Sequence, residues 1–160
     1  CMQVNDFQKI KEIVANSPWM FTGHSHRNKQ DTKFWFMDLD NNPFFSQYLK
    51  GYIEHVTKKK FRTLLRVYAN GQFHGQDGDF HQDDPHPNAW TFLLYTNTIN
   101  PDDIESWGGT TEFKTRNGIF LQFPYTNHGI LFKADMFHRG RAPTRHVNDL
   151  RVTIAWKLIE

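Results

Sequence analysis

At 160 residues the chain has the length of one ordinary domain, enough to bury a real core and too little for two, so residues 1–160 are expected to fold as one unit. Nineteen Lys plus Arg against seventeen Asp plus Glu leave a net charge of +2, which gives no ground for a polyanionic partner. No run approaches the roughly 18–20 apolar residues that span a bilayer, no signal-peptide pattern opens the sequence, and a lone Cys1 cannot form an internal disulfide; the expectation is a soluble, cytoplasmic protein.

In chain order, Phe7, Ile10, Ile13 and Val14 recur at helical spacing behind Asn5 or Asp6 as a cap, with Pro18 beyond, which predicts a short packing helix over Asn5–Val14. Between Trp19 and Asp40 aromatic and polar residues mix, and Phe34-Trp35-Phe36-Met37 reads as a strand between Asp-bearing turns. His24-x-His26 invites a metal reading, but Ser25, Arg27, Asn28 and Lys29 around it fit a solvated loop better. A stronger helix follows: Asn42 as cap, Pro43 at the first position, and Phe44, Phe45, Tyr48, Leu49, Tyr52, Ile53 and Val56 on one stripe that must lie on a sheet. The Lys58-Lys59-Lys60 run at its end suits a helix C-terminus, which accounts for it better than a phosphate site does.

Beyond Phe61 the helical period disappears. Short strands alternate with turn signals at Asn70-Gly71, Asp77-Gly78, Asn100-Pro101, Gly108-Gly109 and Asn117-Gly118, the pattern of an antiparallel barrel or sandwich. Predicted strands are Thr63–Tyr68, Phe80–Asp83, Thr91–Asn97, Thr110–Lys114, Ile119–Phe123, Gly129–Lys133 and Arg151–Leu158. The 16% aromatic content suits a closed β structure with a bulky interior.

Function hangs on Phe80-His81-Gln82-Asp83-Asp84. Residues two apart on a strand share a face, so His81 and Asp83 would point together into whatever that strand encloses. One more distant imidazole, with His138 the best placed, would complete a 2-His-1-carboxylate set, which leaves positions open on a non-haem Fe(II). Alone, His-x-Asp is a common pair, and a polar strand end before Pro85 is ordinarily the better account of it. The downstream context separates the two.

That context is Leu93-Leu94-Tyr95-Thr96-Asn97, Trp107-Gly108-Gly109-Thr110-Thr111-Glu112-Phe113, Gly129-Ile130-Leu131-Phe132, Phe137-His138 and Leu150-Arg151-Val152-Thr153. In this order the chain from about Arg62 to its end resembles the 2-oxoglutarate- and Fe(II)-dependent dioxygenases, in particular their small prolyl-4-hydroxylase-like branch. The resemblance implies a mainly β (α+β) fold, a double-stranded β-helix or jelly-roll barrel of the cupin kind, with the N-terminal helices packed on one face. It implies His81, Asp83 and His138 as ligands of a catalytic Fe(II), and Arg151 with Thr153 as the grip on the distal carboxylate of 2-oxoglutarate. A planar guanidinium suits that task, since it offers a carboxylate a bidentate, charge-assisted pair. Tyr95 matches a cosubstrate-contacting tyrosine; Tyr68 occupies a similar position and serves equally well as a core aromatic. His138 and Arg151 stand further apart than the family pattern, which predicts a Thr144–Asp149 loop. Without that loop Arg145 or Arg141 would take the anchoring role, yet only Arg151 heads an apolar strand, and Lys157 is too far along it to substitute.

The implied reaction couples oxidative decarboxylation of 2-oxoglutarate by dioxygen to hydroxylation of a substrate. Two other readings keep the barrel: a non-catalytic jelly-roll binding module, and a cupin-type metalloenzyme that needs no oxo acid and ordinarily uses more histidines. For the substrate, a peptide such as one bearing a prolyl residue, an amino acid or a small metabolite is favoured over nucleic acid, because the Lys58–Lys60 run is too local for a basic groove. His74, Gln76, Asp77, Trp107 and Arg139 are expected to flank the barrel mouth.

Overall fold

A computed structural model describes residues 1–25 and 32–160; His26 lies outside them. Helix α1 (Val4–Asn16) buries Phe7 and Ile10. Neither Asn5 nor Asp6 caps it. The Phe7 amide closes the first turn on the Gln3 carbonyl at 2.9 Å, which draws both residues inside the helix, and Asp6 there accepts a hydrogen bond from the Tyr48 hydroxyl at 3.1 Å.

The second helical run starts as expected, with the Asn42 side chain accepting from the Phe44 amide at 3.1 Å. It then departs from uniform winding: Phe44–Leu49 form a π-helical turn before α2 (Lys50–Thr57). Because the wider turn shifts the stripe, Phe45, Leu49 and Ile53 are fully buried while Tyr48 and Val56 stay exposed. Lys58 ends the helix in the left-handed region, Lys59 pairs with Glu160 at 2.8 Å and Lys60 reaches Glu54 at 3.9 Å.

The strands among the described residues are β1 (Met20–Gly23), β2 (Phe34–Asp38), β3 (Thr63–Gln72), β4 (Ala89–Tyr95), β5 (Thr111–Thr115), β6 (Gly118–Gln122), β7 (Gly129–Lys133), β8 (His138–Gly140) and β9 (Arg151–Ile159), with a short helix α3 (Ile104–Trp107) ahead of β5. They pair antiparallel into a six-stranded sheet, β1-β2-β3-β9-β4-β7, and a three-stranded sheet, β6-β5-β8, the two layers of a double-stranded β-helix. The predicted Phe80–Asp83 strand does not form. Its backbone makes one bridge, His81 to His138, while the Asp83 and Asp84 amides converge on the single carbonyl of Ala134 at 2.8 and 3.2 Å, and Pro85 ends any ladder.

Alternation along β9 divides the molecule. Val152, Ile154, Trp156 and Leu158 face the helices and join Phe7, Ile10, Phe45, Leu49 and Ile53 in the main core. Arg151, Thr153, Ala155 and Lys157 face the space between the sheets. The neighbouring β3 repeats the division, with Val67 and Ala69 toward the helices and Arg66, Tyr68, Asn70 and Gln72 toward the interior.

Candidate active site

The interior opens as a cavity of about 730 Å³, within the roughly 300–1,000 Å³ of small-molecule sites. Donor atoms of His81, Asp83 and His138 lie within 4.8 Å of one another on its wall. His81 Nε2 is 3.5 Å from Asp83 Oδ1, and His138 Nε2 is 3.4 Å from Asp83 Oδ2, so the two imidazoles flank one carboxylate. Although Phe80–Asp83 is not a ladder strand, the bridge to His138 brings the three together across the chain.

Each imidazole is oriented from behind. His81 Nδ1 lies 2.9 Å from the Asp79 carbonyl and His138 Nδ1 lies 2.9 Å from the Met136 carbonyl. A carbonyl can only accept, so the proton sits on Nδ1 and the Nε2 lone pair is directed at the shared carboxylate, the tautomer a metal ligand requires. Burial lowers the His138 pKa to about 4 against the opposing pull of Asp83, so this imidazole is neutral near pH 7. For Asp83, burial opposes ionisation, but the Lys157 ammonium first, and then the facing His81 and His138 imidazoles, outweigh it and hold the carboxyl well below its usual range. Thr91 Oγ1 donates to Asp83 Oδ2 at 2.6 Å. Two imidazoles and one ionised carboxylate converging on one point fit a divalent transition metal.

Lys157 is the residue that sequence reasoning passed over. It is indeed remote from Arg151 along β9, but its ammonium makes an ion pair with Asp83 Oδ2 and a 3.3 Å hydrogen bond to Thr91 Oγ1. Desolvation disfavours its charge, but Tyr68 and Asp83 overcome that and raise its pKa. The available signal was that Lys157 shares its strand parity with Arg151 and Thr153.

At the other end of the cavity Arg151 is 2% exposed. Its Nε donates to the Gly109 carbonyl at 2.6 Å, Nη1 to Gln72 Oε1 at 2.8 Å and Nη2 to Thr111 Oγ1 at 3.2 Å. These use three of a guanidinium's five donors, which leaves two for a ligand among the described residues. Gly109 has φ +66° and lies so close to Trp107 that an added Cβ would come within 2.5 Å of its ring; the glycine is what lets this carbonyl reach Arg151. Thr153 and Tyr68 also line the cavity. Tyr95 does not: it is 1% exposed and its hydroxyl donates to Thr111 Oγ1 at 2.6 Å, one step behind Arg151. Arg141 is held by Asp77 and Glu112 at 3.4 and 3.7 Å, and Arg145 is exposed, so neither competes for the anchoring position.

None of the five residues expected at the mouth lines the cavity. His74 contacts the Pro143 carbonyl, the Gln76 backbone carbonyl accepts from Gln72, Asp77 accepts from the Ala142 amide, Gly109 sits on Trp107, and Arg139 pairs with Glu112. These contacts bind the loops to one another, and the cavity is lined instead from β1, β2, β3 and β4, through residues such as Thr22, Phe36, Arg66 and Trp90. His24 is on this rim and does not belong to the metal-ligating cluster.

No family model matches the chain, and no curated protein matches it. Solved structures do. A Trichoplax adhaerens prolyl hydroxylase in complex with a hypoxia-inducible-factor degradation-domain peptide superposes with a TM-score of 0.70 at 15% identity, covering 97% of this chain and 77% of that one. A Pseudomonas putida prolyl-4-hydroxylase gives 0.68 at 13% identity, covering 99% and 89%. HygX from Streptomyces hygroscopicus, with nickel and 2-oxoglutarate bound, gives 0.67 at 12%, covering 99% and 79%. The chain therefore has the fold of the 2-oxoglutarate oxygenases, the double-stranded β-helix.

Proposed function

We propose that the chain is a non-haem Fe(II)- and 2-oxoglutarate-dependent oxygenase that hydroxylates its substrate. The observation that carries this reading is the pairing, in one cavity, of a His81–Asp83–His138 donor cluster with a buried guanidinium, Arg151, that retains unused donors. His81, Asp83 and His138 would hold the metal; Arg151 and Thr153 would hold the distal carboxylate of 2-oxoglutarate. Bound there, the metal and cosubstrate supply an oxidation in which 2-oxoglutarate, dioxygen and a C–H bond become succinate, carbon dioxide and a C–OH bond. The Asp79 and Met136 carbonyls keep both imidazoles in the ligand tautomer. Thr111 and Gln72 keep the guanidinium plane fixed, and Tyr95 acts through Thr111 rather than on the cosubstrate. A prolyl residue is one candidate target, supported by the two prolyl hydroxylases among the fold neighbours; free amino acids and small metabolites share the same access.

Anaerobic addition of Fe(II) and 2-oxoglutarate should produce the visible charge-transfer band of a chelated oxo acid, and His138→Ala should abolish it. Undiminished absorbance in that variant would remove His138 from the ligand set. One observation favours a second reading: the Lys157 ammonium already neutralises Asp83, as a metal-free binding module would require. Metal analysis of protein purified under anaerobic, iron-supplied conditions separates the two, since a module of that kind retains no stoichiometric iron.

A further inference from the structure

The end of the cavity away from Arg151 carries its own charge pattern, and its meaning rests on the oxygenase reading. Arg66 and Lys157 are direct partners across β3 and β9. Like charges in that position repel and are destabilising. Arg66 is exposed at the rim, with its guanidinium 4.9 Å from the Tyr68 ring centre and 5.6 Å from that of Phe36, and it makes no ion pair among the described residues. Lys157 is a second cation near Tyr68, its ammonium 5.7 Å from the ring centre. Two cations thus share one aromatic ring on the cavity wall.

The counter-charge is shared. Among the described residues Lys157 has one carboxylate partner, Asp83, and that carboxylate is also the anionic member of the metal-ligating cluster. With a divalent cation on Asp83, one negative charge faces a metal and an ammonium, with Arg66 a cross-strand neighbour behind. Asp84, the other acid on the cavity wall, turns an oxygen to the His86 amide at 2.8 Å. 2-Oxoglutarate held by Arg151 and chelated to that metal would bring one carboxylate to this end, which offsets one of these charges and still leaves Lys157 and Arg66 in excess. In a partly desolvated pocket such an excess of positive charge favours an anionic ligand.

We infer that Lys157, supported by Arg66, binds a carboxylate of the primary substrate, so that the oxidised C–H belongs to a small carboxylic acid such as a free amino acid rather than to an internal residue of a peptide. An internal residue presents no anion at that distance from its own side chain. Tyr68 and Phe36 would provide the apolar wall against which the rest of such a molecule lies.

The probes are the standard free L-amino acids and their primary amides, which differ only in the charge. Two readouts apply: quenching of tryptophan fluorescence under anaerobic conditions with Fe(II) and 2-oxoglutarate present, since Trp90 lines the cavity, and stimulated succinate release in air. At least one acid should give both signals while its amide gives neither. Lys157→Met should raise the half-saturating concentration of that acid by roughly ten- to a hundred-fold, the weight of one charge-assisted hydrogen bond. Arg66→Gln, at an exposed site that tolerates substitution, should raise it by several-fold and keeps the test open if the lysine variant is unstable. Equal responses to acid and amide, responses to capped peptides alone, silence from every acid, or an unchanged half-saturation in both variants would overturn the inference. Absence of the charge-transfer band in the wild type would instead overturn the oxygenase reading, which makes the two failures distinguishable.

Discussion

The two faces of β9 have opposite tasks. Toward the helices, Val152, Ile154, Trp156 and Leu158 are buried among apolar side chains; toward the interior, Arg151 and Lys157 carry hydrogen bonds and charge, with Thr153 between them on the cavity wall. One strand therefore holds the fold with its even-numbered residues and the chemistry with its odd-numbered ones. The lesson is that stability and ligand binding should respond separately to neighbouring substitutions, even though the residues are covalently adjacent.

The largest effect expected lies on the apolar face. Trp156→Ala empties a fully buried site and leaves the Phe45 carbonyl without its indole donor, so it should cost about 3–5 kcal/mol in chemical denaturation. The fraction still folded should retain the Fe(II)–2-oxoglutarate band. Loss of that band in a folded sample would show that the faces are coupled. Next comes Arg151→Ala, which should weaken 2-oxoglutarate by about 2–4 kcal/mol, on the order of thirty- to a thousand-fold, with Fe(II) affinity little changed. Arg151→Lys should fall between, because a point charge keeps the attraction and loses the fork. Calorimetric titration giving equal 2-oxoglutarate affinity in wild type and Arg151→Ala would remove the anchor.

The pH dependence of the metal-free protein sharpens the same contrast. His138 falls from its ordinary 6.5 to about 4 on folding, so between those values the unfolded chain binds the extra proton. Stability should therefore decline as pH drops through that window, by at most about 1.4 kcal/mol per pH unit from this group. Asp83, held below its usual range, adds its own loss only at more acidic pH. Melting curves of His138→Leu should lack the first limb, and an unchanged profile would reassign it. The smallest effect is Thr153→Val, where one neutral hydrogen bond to the cosubstrate contributes about 0.5–1.5 kcal/mol, visible as a severalfold rise in half-saturating 2-oxoglutarate with no change in melting.

Much of this arrangement was legible because periodicity survives in the sequence. The apolar stripe of the second helical run and the alternation of β9 each announce a face, and the His81–Asp83 pair with His138 and Arg151 has an order that resembles one enzyme family. What escaped notice depends on tertiary contacts. β8 is the three residues His138–Gly140, with no apolar pattern to mark it. Lys157 on an alternating strand looks like a solvated end until Asp83 is brought against it from a loop more than seventy positions earlier. The residues expected at the mouth do not line the cavity, because the Asp77–Arg141 and Arg139–Glu112 pairs tie those loops together, while β1 and β2, remote in sequence from the ligands, contribute to its wall.

The π-helical turn at Phe44–Leu49 has a consequence for how this chain tolerates changes in length. A π-turn accommodates one residue more than the α-helical path would, and its wider winding sets the phase in which Phe45 meets β9, where its carbonyl accepts the Trp156 indole N–H at 2.9 Å. Single-residue deletions here need not break the helix, since ordinary winding is the more regular state. The turn itself would absorb the loss, so that the residues on either side keep their phase. Removing Gln47 should thus leave helical circular dichroism and the Phe45–Trp156 hydrogen bond nearly intact. Removing one residue from α2, which has no wide turn to give up, would instead rotate everything upstream by about 100° and strand the buried indole donor.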